Sequence, residues 1–212
     1  MKRVLDIIAK ALSIVLYPFF VPTYGMALFC YGHHTQVSPY DPVWMAVAII
    51  GTFLFTCAIP LSAIVLMIRQ GKVHDLYIRD ARERTTPYLY TTMGFCFWCF
   101  LLIAILETPT YINVVAIGAT VAIGLVTYIN RYWKISAHLT AMGGLFGGLL
   151  SYCMGIGAIP VWTTFATWLG LILLLMYARL WLNAHTPGQV ICGLLLGLAS
   201  TSIPNLIIYY GS

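Results

Sequence analysis

Charged residues are scarce in this chain of 212 residues: only 8% are Asp, Glu, Lys or Arg, whereas 61% are apolar. An average soluble domain is about 25% charged. Polar stretches longer than a loop are also absent, so we expect no appended soluble domain. A protein with so few charged residues could not cover a water-soluble surface. The composition therefore predicts an all-α, polytopic transmembrane helical bundle that forms a single domain over residues 1–212.

Seven apolar stretches are long enough to span a bilayer, which takes about 20 mainly apolar residues. We expect the first of them to be a spanning helix and not a cleaved signal peptide, because no small-residue cleavage pattern follows its basic start. The sequence therefore predicts about seven spanning helices, at residues 10–32, 43–69, 87–106, 111–130, 138–157, 160–178 and 187–209.

Two of these stretches carry glycines at a spacing of four. They are Gly143 and Gly144 with Gly147 and Gly148, and Gly193 with Gly197. Small residues at this spacing let helix backbones approach closely inside a bilayer. We interpret both sets as packing faces within the bundle. A homo-oligomer formed through these glycine-rich faces is the alternative.

Lysine and arginine are absent from one side of the predicted bundle. With seven spans, all eleven basic residues fall in or beside the N-terminus and the segments 70–86, 131–137 and 179–186. The opposite side holds His33, His34, Asp41 and Glu107. Cytoplasmic loops carry the excess of positive charge. We therefore predict a multi-pass protein of the bacterial inner membrane whose basic side faces the cytoplasm.

Three segments of the basic side carry residues suited to chemistry. They are Arg79 to Pro87 with Arg82 and Arg84, Lys134 to His138, and Arg179 followed after five residues by His185. Singly, the arginines could anchor lipid headgroups and the histidines could cap helices. Together they are the residue types that bind phosphate and catalyse its transfer. Arginine binds phosphate oxygens in a bidentate fork, and histidines can serve as nucleophile and general acid.

These segments resemble the three motifs of the type 2 phosphatidic acid phosphatase superfamily, which also contains the vanadium haloperoxidases. Ser136 and His138 are similar to its Pro-Ser-Gly-His motif. Arg179, His185 and Gln189 are similar to Ser-Arg-x5-His-x3-Asp, and Arg79 with Thr86-Pro87 to Lys-x6-Arg-Pro. The resemblance covers about residues 70–200 and implies a phosphatase-like core of six helices.

The resemblance implies a metal-independent phosphatase or phosphotransferase without a cofactor. His185 would be the nucleophile that forms a phosphohistidine, and His138 the general acid. Arg179, Arg79 and Ser136 would hold the phosphate oxygens. The implied partner is a phosphorylated lipid of the bilayer, such as phosphatidic acid, phosphatidylglycerol phosphate or a polyprenyl phosphate, and no nucleic acid.

Two departures from the family pattern leave an alternative open. Gln189 stands where the family has Asp, and it can accept a hydrogen bond from His185 without supplying negative charge. Thr86 stands where the family has Arg, and Arg82 or Arg84 could take its place. The alternative is a catalytically impaired relative that binds or moves phosphorylated lipids. We consider a transporter proper a weaker variant, because no charged residue falls in the middle of a predicted helix.

Two other patterns suggest metal binding less strongly. Cys96 and Cys99 form a Cys-x-x-Cys inside an apolar run with no second pair nearby, so we interpret them as small apolar-environment thiols. His33 and His34 are adjacent, so their side chains point apart, and we interpret them as loop histidines. The sequence therefore predicts no metal site.

Overall fold

The structure is a computed structural model, and it describes residues 2–36, 40–74, 81–156 and 161–210. Within these residues the chain folds into nine α-helices, with a short π-helical segment at Leu54–Ala58. The helices are α1 Lys2–Val15, α2 Val21–Gln36, α3 Pro42–Phe53, α4 Ile59–Arg69, α5 Ala81–Ala104, α6 Thr110–Ile129, α7 Ala137–Ile156, α8 Val161–Trp181 and α9 Pro187–Tyr210.

Five stretches of helix are long and apolar enough to cross a membrane: Pro42–Arg69, Thr85–Ala104, Thr110–Ile129, Val161–Trp181 and Pro187–Ile208. They coincide with five of the seven predicted spans. The chain is therefore an all-helical integral membrane protein. The predicted span at 138–157 is also a helix, α7, but it is not among the five. It packs against α2, α6, α8 and α9, so much of its surface faces protein.

The first predicted span, 10–32, is wrong as a single helix. Residues 16–20 form turns that separate α1 from α2. Pro18 explains the break, because proline has no N–H to continue a helix and clashes with the preceding turn. α1 is only 14 residues long, or about 21 Å at 1.5 Å per residue, which is short of a bilayer core of about 30 Å.

α1 lies against α8. At its start, the indole N–H of Trp181 donates to Oδ1 of Asp6 over 2.8 Å. The turns that follow α1 are packed as well, because Phe19 is buried with Met67 and Val73, next to the end of α4. The N-terminal segment and the chain after α4 therefore meet at one end of the bundle.

Proline also shapes the helix that runs from 42 to 69. Pro60 cannot donate to the carbonyl of Thr56, and the helix widens just before it into the π-helical segment. There the N–H of Ile59 bonds to the carbonyl of Leu54, five residues back. α5, in contrast, begins six residues earlier than the predicted 87, so Pro87 lies within its second turn.

The glycines at a spacing of four hold α7 against α9. A Cβ at Gly193 would lie 2.6 Å from the carbonyl oxygen of Ser136, and one at Gly147 would lie 2.8 Å from the carbonyl oxygen of Leu198. A Cβ at Gly197 would collide with the carbonyl oxygen of Thr140. The packing interpretation of these glycines is confirmed, since the two sets meet within the chain.

Candidate functional site

The turn that ends α8 brings Arg179 and His185 to the same cavity. Asn183 has a φ of 49°, a left-handed conformation that asparagine tolerates better than most residues. Around it, the N–H of Asn183 donates to the carbonyl of Leu180, and the N–H of Ala184 donates to that of Arg179. This pair of bonds is a Schellman motif, which ends the helix and turns the chain back. His185 follows directly after that turn.

Gln189 fixes the tautomer of His185. The backbone N–H of Thr186 donates to Oε1 of Gln189 over 3.1 Å. Because an N–H needs an acceptor, this contact identifies the oxygen of the Gln189 amide. The same oxygen lies 3.2 Å from Nδ1 of His185, so Nδ1 must carry the proton. In a neutral imidazole the lone pair then sits on Nε2. The hydrogen bond expected between His185 and Gln189 is thus present.

His138 enters the site from the first turn of α7. Its Nε2 lies 3.1 Å from the backbone carbonyl of Ser13, and a carbonyl can only accept. Nε2 therefore carries a proton, and the ring of Tyr17 packs edge-on against the imidazole. His138 is buried and interacts electrostatically with Arg179 and His185. Burial and a neighbouring cation both disfavour the charged form of an imidazole.

Ser13 on α1 joins the two halves of the site, and the sequence analysis missed it. Its backbone carbonyl accepts from His138, and its hydroxyl accepts a hydrogen bond from Nη1 of Arg179 over 3.2 Å. Arg179 is buried and Ser13 is 5% exposed. Only a serine within an apolar run marked this position in the sequence. Nothing there linked it to residues more than a hundred positions away.

A cavity of about 700 Å³ reaches this end of the bundle. We call this end of the cavity its mouth, and it is cationic, because two lysines join the arginine and the two histidines there. The lysines lie on α1 and in the segment before α7, and neither was among the predicted site residues. The mouth residues are Lys10, Lys134, His138, Arg179 and His185. Such a set suits an anion with several oxygens, since arginine binds phosphate bidentately and lysine binds it as a point charge.

Other predicted site residues do not lie at this cavity. Ser136 is fully buried; its hydroxyl lies 3.5 Å from the N–H of Leu139 and caps α7. Thr86 is exposed on α5. Neither is among the described residues that line the cavity. These placements disagree with the phosphate-binding role predicted for Ser136 and the supporting role predicted for Thr86.

The side chains of three predicted arginines and of one histidine pair lie outside the described part of the structure. Arg79 lies outside the described residues, and so do the side chains of Arg82 and Arg84, although both belong to α5. The side chains of His33 and His34 are likewise outside, but both residues belong to α2, so the interpretation of them as loop histidines is wrong. Of the Cys-x-x-Cys pair, Cys96 is exposed and Cys99 is buried.

Comparisons with known proteins add no relative: no protein-family model, curated protein or solved structure matches the chain. The likeness to the phosphatase superfamily therefore depends on the motif residues alone. Of these, Arg179, His138 and His185 converge on one cavity, and Gln189 contacts His185.

Proposed function

We propose that this protein is a metal-independent phosphatase, or phosphotransferase, of a phosphorylated lipid. One observation carries the proposal. At the cationic mouth of one cavity, an imidazole with its lone pair held on Nε2 shares the rim with a buried arginine and a second histidine. This arrangement supplies a nucleophile, a clamp for phosphate oxygens and a proton carrier within one site.

The reaction would run in two steps. In the first, Nε2 of His185 attacks phosphorus, the ester P–O bond breaks, and the departing alkoxide takes a proton from His138. In the second, water attacks the phosphohistidine and gives its proton to His138, and the N–P bond breaks to release inorganic phosphate. Arg179 would stabilise the negative charge that develops on the equatorial oxygens in both steps.

His138 needs a proton that it can give to the alkoxide. Without substrate, its Nε2 proton is used by the carbonyl of Ser13, and burial and the adjacent Arg179 both disfavour a second proton. A bound phosphate dianion offsets the charge of Arg179 and favours the imidazolium form. Substrate binding would thus charge the general acid, with the new proton on Nδ1.

A second candidate function is a lipid-phosphate binder that does not hydrolyse its ligand. The neutral Gln189 favours it, because an amide cannot supply the charge that strengthens a histidine nucleophile. The Ser13 contact of His138 and the absence of Ser136 and Thr86 from the described lining of the cavity also favour it.

Phosphate release from purified protein separates the two functions. The substrates are phosphatidic acid, phosphatidylglycerol phosphate and a polyprenyl phosphate in mixed micelles, with and without EDTA. We expect EDTA-resistant release that His185→Ala abolishes and His138→Ala lowers by at least ~100-fold. His74→Ala is the matched control, since His74 is an exposed histidine paired with Glu83 and does not line the cavity.

The other outcomes are equally decisive. Saturable binding of the phosphorylated lipids without release would establish the binder. Release that survives both substitutions would remove the site assignment.

We also place the cavity mouth on the cytoplasmic side of a bacterial inner membrane. Lys10, Lys134 and Arg179 all lie at this mouth, and α6 begins at the opposite end with no lysine or arginine in the preceding loop. The positive-inside rule supports this orientation. A cytoplasmic site would favour intermediates of phospholipid synthesis as substrates.

A further inference from the structure

The cavity extends lengthwise from its mouth into the bundle. On α6 its lining residues recur every three or four positions, which keeps them on one face of the helix. They run from Val126, near the mouth, to Ile112. The 14 residue steps between these two positions span about 21 Å at 1.5 Å per residue. The α6 wall is formed by Ile112, Val115, Ala119, Ile123 and Val126, among others.

α5 forms a second wall of the same length. It runs antiparallel to α6, and its lining residues extend from Tyr88 near the mouth to Leu102, again about 21 Å. They are Tyr88, Thr91, Phe95, Trp98 and Leu102, with Cys99 beside them. Two walls of equal length and the same spacing describe a tunnel that crosses about two thirds of a bilayer core of roughly 30 Å.

Beyond the mouth the described lining of the tunnel carries no charged side chain. Polar groups there are mostly threonines whose hydroxyl protons are already used. Thr52, Thr91, Thr120 and Thr140 each donate to the carbonyl four residues before. The indole N–H of Trp98 in turn donates to the hydroxyl oxygen of Thr52. The interior therefore suits an apolar ligand, which would contact methyl groups, aromatic rings and hydroxyls that already have their hydrogen bonds.

We infer that the ligand is a single-chain lipid phosphate whose hydrocarbon tail occupies this tunnel while its phosphate sits at the mouth. The inference rests on the proposed function for the phosphate end only. With C–C bonds of about 1.5 Å, an extended chain advances about 1.3 Å per carbon, so 21 Å holds about 16 carbons.

The size of the cavity suits such a ligand. Its volume of about 700 Å³ lies within the range of about 300–1,000 Å³ that small-molecule pockets span. The walls on α5 and α6 outline one tunnel for one extended chain, so the second chain of a diacylglycerol phosphate would remain outside.

The inference is tested by comparing substrates of different chain length in the wild-type protein and in variants whose tunnel is blocked. Ala119→Phe places a ring about 10 Å below Val126, and Ile123→Trp blocks a second position in case the first variant folds poorly. Val121→Phe is the matched control, because Val121 lies on the same helix but 49% exposed on the outer face. The substrates are butyl phosphate, hexadecyl phosphate, farnesyl phosphate and dihexadecanoyl phosphatidic acid.

With wild-type protein we expect kcat/KM for hexadecyl phosphate to exceed that for butyl phosphate and for the diacyl lipid by at least 10-fold. Ala119→Phe should remove the long-chain advantage, whereas Val121→Phe should leave it unchanged. Farnesyl phosphate reports whether a branched chain enters the same space. Inorganic phosphate should compete with every substrate, and hexadecanol only with the long ones.

A binding readout keeps this inference separate from the proposed function. Hexadecyl phosphate with a diazirine at its last carbon should crosslink near Leu102 and Ile112, at the inner end of the tunnel. Such crosslinking without phosphate release would sustain the tunnel and reject the phosphatase. Release that treats the diacyl lipid and hexadecyl phosphate alike, unaffected by Ala119→Phe and Ile123→Trp, would overturn the tunnel and leave the phosphatase standing.

Discussion

At the scale of single residues, Gln189 has two partners. Its side-chain oxygen accepts from the N–H of Thr186 at the start of α9 and from Nδ1 of His185. The first contact is half of a capping box, in which the third helical residue reaches back to the residue before the helix. The second orients the proposed nucleophile. One amide thus ties the geometry of the helix end to that of the site.

Gln189→Glu should raise the rate of phosphate release by about 10-fold, because a carboxylate in the same place strengthens the imidazole as a nucleophile and keeps both acceptor contacts. Since the carboxylate also stabilises the imidazolium, the acid limb of the rate–pH profile should move to higher pH. Gln189→Leu removes the acceptor and should lower the rate by about 100-fold. Rate–pH profiles of the three proteins decide this, and equal profiles would show that Gln189 only caps α9.

At the scale of helices, contact between α7 and α9 positions the site, because His138 and Gln189 sit in the first turns of these two helices. The N–H of Ser136 also donates to the carbonyl of Gln189 over 3.2 Å. Glycines set the separation along the rest of the interface. A change there should therefore disturb the distance between His138 and His185 as well as stability.

Gly197→Ala should destabilise the bundle by about 1–3 kcal/mol or more, because its Cβ would overlap the carbonyl oxygen of Thr140 and the backbone of Gly144, and backbone cannot move aside cheaply. Gly170→Ala on α8 is the control, since a Cβ there meets nothing within 4 Å. It should gain up to about 1 kcal/mol from helix propensity. Thermal unfolding in detergent measures both, and equal transitions would argue against tight packing at Gly197.

At the scale of the whole molecule, the ends of the bundle differ in charge and shape. The end with the cavity mouth gathers α1, the segment before α7 and the turn after α8. α1 also presents apolar side chains to the outside, including Val4, Ile7 and Val15, while its lysines and arginine are exposed. An amphipathic helix of this kind suits the membrane interface. The mouth would then lie at headgroup depth.

Cysteine labelling tests the orientation. In a chain whose native cysteines are replaced, Thr110→Cys places an exposed thiol at the start of α6, and Tyr132→Cys places one just beyond its end. An impermeant maleimide added to intact cells should label Thr110→Cys, and should label Tyr132→Cys only after the membrane is opened. The reverse pattern would put the cavity mouth outside and overturn the cytoplasmic assignment.

The sequence by itself determined the class of the protein, because hydropathy and glycine spacing are local properties. Five of the predicted spans and the glycine packing are confirmed on that ground. The prediction of one spanning helix over residues 10–32 was wrong because Pro18 breaks the helix within an otherwise apolar run. Only the tertiary structure decided that Ser13 contacts both His138 and Arg179, that Lys10 lines the same cavity as those two residues, and that Ser136 does not line it. Those facts depend on how distant helices pack, and no local pattern contains that information.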